Sequence, residues 1–294
     1  MNHHNIDLIN VLKDIASKLD ALLKNSLNEA PDAEILNESA AFRCIFNGQS
    51  YKLYPIYHYD NIRCDELKGI DGIIAKVKQN TEQFIKGLPA NNVLLWGARG
   101  TGKSSTVKAM LNEYSQLNLK IIEVDRDDLL NLNLLIDFLR TVKHKFIIFC
   151  DDLSFQEEEK GFTQLKAVLE GGLEQKPLNI IIYATSNRRT LMAQHIADNI
   201  GSINEYGELH PSDAFEEKVS LRDRFGLKIG FTQFSRDTYI EIVKNYAALR
   251  QLNIKEEELI EKALQWSLNQ GGFTGRTAKQ FINDIEGKTA LTRR

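Results

Sequence analysis

The stretch Val93-Leu94-Leu95-Trp96-Gly97-Ala98-Arg99-Gly100-Thr101-Gly102-Lys103-Ser104 decides the fold. A short apolar run leads into an octet of the form GxxxxGK[ST], and a helical pattern follows from Lys103 to Tyr114. A strand before and a helix after separate a phosphate-binding loop from a chance match. Glycines let backbone N–H groups turn inward with no Cβ in the way. The following helix presents its positive end to the same anion. On this reading Gly97, Ala98, Arg99, Gly100, Thr101, Gly102, Lys103, Ser104 and Ser105 cradle ATP. Lys103 neutralises β/γ-phosphate charge, and Ser104 ligates Mg²⁺.

Downstream, Phe146-Ile147-Ile148-Phe149-Cys150 is an apolar run ending in Asp151-Asp152. A buried strand ending in acid puts that acid at the carboxyl edge of a sheet, beside the phosphate loop. Asp151 is expected to hold the metal and Asp152 to orient or deprotonate the attacking water. A second run, Ile180-Ile181-Ile182-Tyr183-Ala184-Thr185-Ser186, ends in Asn187, which reads as a γ-phosphate or water contact, or else as a strand cap. Arg188 and Arg189 read as solvated. The acids Glu157, Glu158 and Glu159 read as a solvated helix start.

Two arginines complete the series. Arg224, in Leu221-Arg222-Asp223-Arg224-Phe225-Gly226, precedes a fifth strand and suits a catalytic finger inserted into a neighbouring subunit's site. A salt bridge within the chain, to Asp223 or Glu217, is the competing reading. Strand-like alternation would aim Arg222 the same way, which makes it the substitute candidate. Arg276 opens the last helical pattern after Gly271-Gly272-Phe273-Thr274-Gly275, where it could reach the γ-phosphate and couple a lid to nucleotide state.

From Asn92 on, strand candidates (93–96, 120–124, 146–150, 179–184, 227–231) alternate with helical patterns at 103–114, 129–142 and 162–169, and with one after Asn187. That alternation predicts an α/β fold with a five-stranded parallel sheet covered on both faces. Three helical patterns, at 237–250, 256–269 and 276–286, then predict a C-terminal helical lid. Near the start Leu8, Leu12, Ile15, Leu19 and Leu22 form an amphipathic stripe, suited to packing on the chain's own core or to self-association. Asn47-Gly48 between Phe42–Phe46 and Tyr51–Tyr54 predicts a hairpin. Its aromatics form a small core or a base-stacking platform. The expected units are 1–59 (helix and hairpin extension), 60–232 (nucleotide-binding domain) and 233–294 (lid).

Composition sets bounds. The 294 residues are 43 % apolar and 26 % charged, with a formal charge of −3, so the strong basic bias of a dedicated nucleic-acid binder is absent. Three cysteines without a CxxC pair point to reduced structural thiols. The start Met1-Asn2-His3-His4-Asn5-Ile6-Asp7 has no basic, apolar leader pattern, and no run approaches the ~20 apolar residues of a membrane helix. A cytoplasmic protein without membrane insertion is expected.

Loop, acid pair, strand-end Asn, finger Arg and lid Arg in this order resemble the AAA+ superfamily. Asp151-Asp152 and Asp223-Arg224-Phe225-Gly226 look like the corresponding parts of bacterial replication initiators and helicase loaders. Longer phrases are similar to a bacterial AAA+ family catalogued as domain of unknown function 815. They include Pro89-Ala90-Asn91-Asn92-Val93, Phe149-Cys150-Asp151-Asp152-Leu153-Ser154-Phe155, Leu165-Lys166-Ala167-Val168-Leu169-Glu170-Gly171-Gly172 and Tyr183-Ala184-Thr185-Ser186-Asn187. The match covers roughly Phe42 to Ile285. It implies homo-oligomers with nucleotide at their interfaces, an unidentified protein or nucleic-acid client, and Leu67, Gly69 and Ile70 on the adenine side. Most of the superfamily has Glu where this chain has Asp152. The shorter side chain sits roughly 1 Å farther from the water, enough to slow hydrolysis ~10²-fold.

The leading expectation is an ATPase that remodels, loads or recruits a macromolecule. An ATP-gated binding module with negligible turnover is the second. A P-loop kinase of a small metabolite is the third, and the pairing of Arg224 with Arg276 argues against it.

Overall fold

The computed structural model describes residues 13, 15, 18, 33–154, 160–171, 175–187, 202–203, 209–210 and 221–292. The N-terminal stripe, apart from Ile15, lies outside them, as do Arg188, Arg189, Glu217, the run 157–159 and the helix expected after Asn187.

Strands β1 (Ala41–Phe46), β2 (Tyr51–Ile56), β3 (Val93–Gly97), β4 (Leu119–Val124), β5 (Lys145–Cys150), β6 (Ile180–Ser186) and β9 (Leu227–Phe231) form one sheet, ordered β2-β1-β4-β5-β6-β3-β9. The pairs β4–β5, β5–β6, β6–β3 and β3–β9 are all parallel, which gives the five-stranded core the alternation predicts. The hairpin extends it. β1 pairs antiparallel with β2 through Asn47-Gly48, but also parallel with β4, with Phe42 opposite Ile122. Two residues each of β7 (Ser202–Ile203) and β8 (Leu209–His210) make a separate antiparallel ladder.

Alternation along each strand divides the core between two faces. Leu94, Ile122, Phe146, Ile148 and Ile182 point to one side, where α3 (Leu132–Arg140) and α4 (Lys160–Glu170) supply Leu135, Leu139, Leu165 and Leu169. Val93, Leu95, Ile121, Ile147, Ile181 and Tyr183 point to the other, under α1 (Asp71–Ile85) and α2 (Lys103–Tyr114). Ile148 is fully buried, and its truncation to Ala is expected to destabilise the fold by about 2–5 kcal/mol. Helix α1 is missing from the expectation above, although Ile74, Val77, Thr81 and Phe84 space its buried face. Of the hairpin aromatics, Phe42 and Tyr51 are core residues, whereas Tyr54 and Tyr57 are exposed.

The helix expected over 129–142 is shorter. Residues Arg126–Asn131 form a tight 3₁₀ turn before α3. The Asp128 carboxylate accepts the Phe46 N–H at 3.3 Å, and the Asp128 carbonyl accepts the Tyr51 hydroxyl. Tethering to the hairpin holds this segment out of the helix.

After β9 the chain is helical: α5 (Arg236–Leu249), α6 (Glu256–Asn269) and α7 (Gly275–Thr292). Ser235 caps α5, its hydroxyl accepting the Thr238 N–H at 3.1 Å. Tyr239, Ile242, Val243, Leu259, Ala263, Phe281 and Ile282 form the lid's own core. Phe234 packs against both that cluster and the sheet's, so it joins the two bodies. No helix among the described residues is long and apolar enough to cross a membrane.

Candidate functional site

Strands β5, β6 and β3 are adjacent and parallel, so their carboxyl ends deliver Asp151-Asp152, Asn187 and the glycine loop to one edge. A cavity of about 620 Å³ opens there, large enough for a nucleotide. Its lining includes Arg99 through Ser105, Asp151, Asp152, Thr185 and Asn187 from the core, and Gly275 and Arg276 from the lid.

The loop's first glycine is required by packing against β9. Gly97 has φ 131°, and a Cβ there would stand 2.0 Å from the Phe231 carbonyl oxygen. The Ala98 N–H donates to that same oxygen at 3.2 Å. The loop is thus anchored to the outermost core strand before it turns toward the cavity.

Lys103 is 6 % exposed, and its ammonium donates to Gly97 O at 2.9 Å, Ala98 O at 2.7 Å and Asn187 Oδ1 at 3.0 Å. Burial pushes its pKa down, Asp152 and Asp151 oppose that shift, and Arg99 and Arg276 reinforce it. The amide of Asn187 donates to Asp152 Oδ1. One Asn side chain therefore bridges the loop lysine and the second acid. Ser104 Oγ donates to Asp151 Oδ1 at 2.6 Å.

These donors fit Mg-ATP. A hydroxyl and a carboxylate in contact are hard oxygen ligands of the kind Mg²⁺ takes beside phosphate and water. No group of three or more His, Cys, Asp or Glu among the described residues could form an all-protein metal cage. When bound, Mg²⁺ would be held by Ser104 and Asp151 and would neutralise charge building on the phosphates.

The lining also includes Leu67 and Ile70 with Ile62, Ile242 and Tyr246, an apolar wall suited to a base. Gly69 is not in the lining itself. Its missing Cβ leaves room for the Thr238 methyl of the lid, 2.2 Å from where that atom would be. Asn245 Nδ2 donates to Glu66 O at 3.2 Å, so the lid is tied to this wall as well.

Arg224 is not in the cavity. It pairs with Glu170 at the end of α4, within its own chain, while Asp223 pairs with Lys228 at 2.8 Å. The strand-like alternation that would aim Arg222 and Arg224 together is overturned. Residues 221–223 are helical, and Arg222 lies over the Trp96 ring at 5.7 Å. Cys44 and Cys150 are buried thiols and Cys64 is half-buried, with burial raising the Cys150 thiol to about 12.

Thr185 is the site residue that sequence reasoning missed. It lies inside the quoted strand end, but its role depends on a partner 34 positions away. The lid residues Ile242 and Tyr246 were likewise hidden among ordinary amphipathic positions.

The parallel sheet, the glycine loop at its carboxyl edge, the acid pair on the next strand but one and the helical lid define a P-loop protein of AAA+ fold. The structure superimposes on the Thermotoga maritima RuvB Holliday junction branch migration motor with a TM-score of 0.55 and 17 % identity, covering 79 % of this chain and 66 % of that one. A point variant of the same motor gives 0.55 and 17 %, over 79 % and 67 %. At such identity the likeness is one of fold, and the chain spans about two thirds of the motor's length. No curated protein sequence matches the chain. The chain belongs to the family described as "Protein of unknown function (DUF815)", whose profile matches residues 37–289.

Proposed function

We propose that this protein binds Mg-ATP in the cavity between core and lid and hydrolyses it, as a homo-oligomer that remodels, loads or recruits a macromolecular client. The observation that carries the reading is the convergence of Lys103, Ser104, Asp151, Asp152 and Asn187 on one sheet edge, with Arg276 facing them from the lid. Gly97 to Ser105 hold the phosphates, Ser104 and Asp151 the metal, and Leu67 and Ile70 the base. Asp152 activates water, Asn187 orients it, and Arg276 reports the γ-phosphate to the lid. Arg224 serves a neighbouring subunit's site.

Calorimetric titration with ATP and Mg²⁺, paired with phosphate release by the assembled oligomer, tests the reading. Micromolar binding with turnover supports it, and no binding at millimolar ATP overturns it. One observation favours an ATP-gated module with negligible turnover. Asp152 is the shorter acid, and the Asn187 amide engages it. Tight binding without phosphate release would select that alternative. The likeness to a branch migration motor is one of fold, so nucleic-acid and protein clients are separated by pull-down with an ATP-loaded, hydrolysis-blocked variant.

A further inference from the structure

Thr185 is the next-to-last residue of β6 and is 1 % exposed. Its hydroxyl donates to Asp151 Oδ1 at 2.5 Å and accepts the Asp152 N–H at 2.9 Å. Its carbonyl accepts the Leu153 N–H at 2.7 Å. Three consecutive residues beyond β5 are therefore tied to this one side chain and its backbone. The middle one, Asp152, has φ 50°, a left-handed conformation that persists in a non-glycine residue only where its surroundings enforce it. Asp151 Oδ1 receives the Thr185 hydroxyl and the Ser104 hydroxyl together.

We infer that Thr185 is a positioning residue for the metal and water-activating acids: its hydroxyl aims the Asp151 carboxylate at the cation and holds the Asp152 backbone in its left-handed turn. This rests on the Mg-ATP reading above. A hydroxyl is needed because one group must donate to a carboxylate and accept an amide at once, which an aliphatic side chain cannot do. Groups behind a metal ligand typically change metal affinity by about 10–100-fold when removed.

The test uses the full chain with ADP as probe, titrated with and without Mg²⁺, and Mn²⁺ binding followed by electron paramagnetic resonance. Thr185→Val keeps the branched shape and removes the hydroxyl. It is expected to retain metal-free ADP affinity while Mn²⁺ affinity in the ADP complex falls about 10–100-fold. Thr185→Ser, which restores the hydroxyl, is expected to recover most of that loss. If Thr185→Val fails to fold, Thr185→Ala is read against Thr185→Ser instead. Metal affinity in the hydroxyl-free variant within threefold of wild type overturns the positioning role alone. Equal loss in Thr185→Ser and the hydroxyl-free variant overturns it too, since packing would then be the cause. A wild type that binds no nucleotide overturns the Mg-ATP reading, and this inference with it.

Discussion

Gly275, the first residue of the last lid helix, donates its backbone N–H to the Gly100 carbonyl of the glycine loop across 2.8 Å. The glycine loop is thereby fastened to the lid by a main-chain hydrogen bond. Gly100 has φ 72°, and a Cβ on it would stand 2.9 Å from Thr274 Cβ and 3.4 Å from Arg276 Cβ. Gly100→Ala is therefore expected to combine left-handed strain of about 1 kcal/mol with a push against the lid. ATP affinity should fall about tenfold, and hydrogen exchange at the Gly275 amide should quicken. Unchanged exchange would show that the lid does not depend on this bond.

Lys103→Ala removes the ammonium that reaches Gly97, Ala98 and Asn187. ATP binding should be abolished or greatly weakened, with the thermal transition close to that of wild type. Calorimetry that recorded wild-type affinity would remove Lys103 from the phosphate site.

Proton linkage offers a separate check on the same lysine. Its pKa lies below the ordinary 10.5 because of burial, and phosphates in contact should raise it. The unliganded site then holds fewer protons than the bound one just below 10.5, so binding takes up protons. ATP affinity should decline as pH climbs through the lowered value. Titrations in buffers of different ionisation enthalpy would reveal the uptake, and its absence would contradict the assignment.

The two acids should part company. Asp152→Asn is expected to keep Mg-ATP bound while slowing phosphate release, because an amide cannot accept the water's proton. Asp151→Asn should instead weaken the Mg²⁺ dependence of binding, through the oxygen that Ser104 and Thr185 both address. Equal turnover in wild type and Asp152→Asn would place the base elsewhere.

Arg224→Ala should spare binding and slow turnover about 10³-fold if the arginine acts on a neighbour's site. Mixing it with Asp152→Asn protomers, each inactive alone, creates some interfaces with both groups intact, and activity should return. The Glu170 pair gives an internal control. Glu170→Gln should not slow turnover if the arginine's task lies in trans. Full activity of Arg224→Ala alone would mark the ion pair as structural.

Much of this is legible in the sequence. The loop Gly97–Ser104 and the apolar runs ending in Asp151 and Asn187 are local patterns, and local patterns carry strand and helix period directly. The start of the last helix, with Arg276 in its first turn, was legible as well. The tight turn at Arg126–Asn131 was not, because an Asp128 tether to Phe46 and Tyr51 holds it there. Nor was the fate of Arg222 and Arg224, since helical backbone at 221–223 and a partner on α4 set their directions. The hairpin was legible as a hairpin. Its membership of the main sheet was not, because β1 pairs with a strand some 80 residues later.

The sequence by itself determined the inventory: a glycine loop with Lys103 and Ser104, the acids Asp151 and Asp152, and Asn187, in that order along the chain. Tertiary structure alone decided that they meet. The strand order β5-β6-β3 sets three separate carboxyl ends side by side, and hydrogen bonds over long separations then aim the groups. Thr185 to Asp151, Lys103 to Asn187 and Gly275 to Gly100 are such bonds. The physical reason is that strand pairing and lid docking are chosen by burial of whole apolar faces. That quantity belongs to the packed chain and to no short stretch of it.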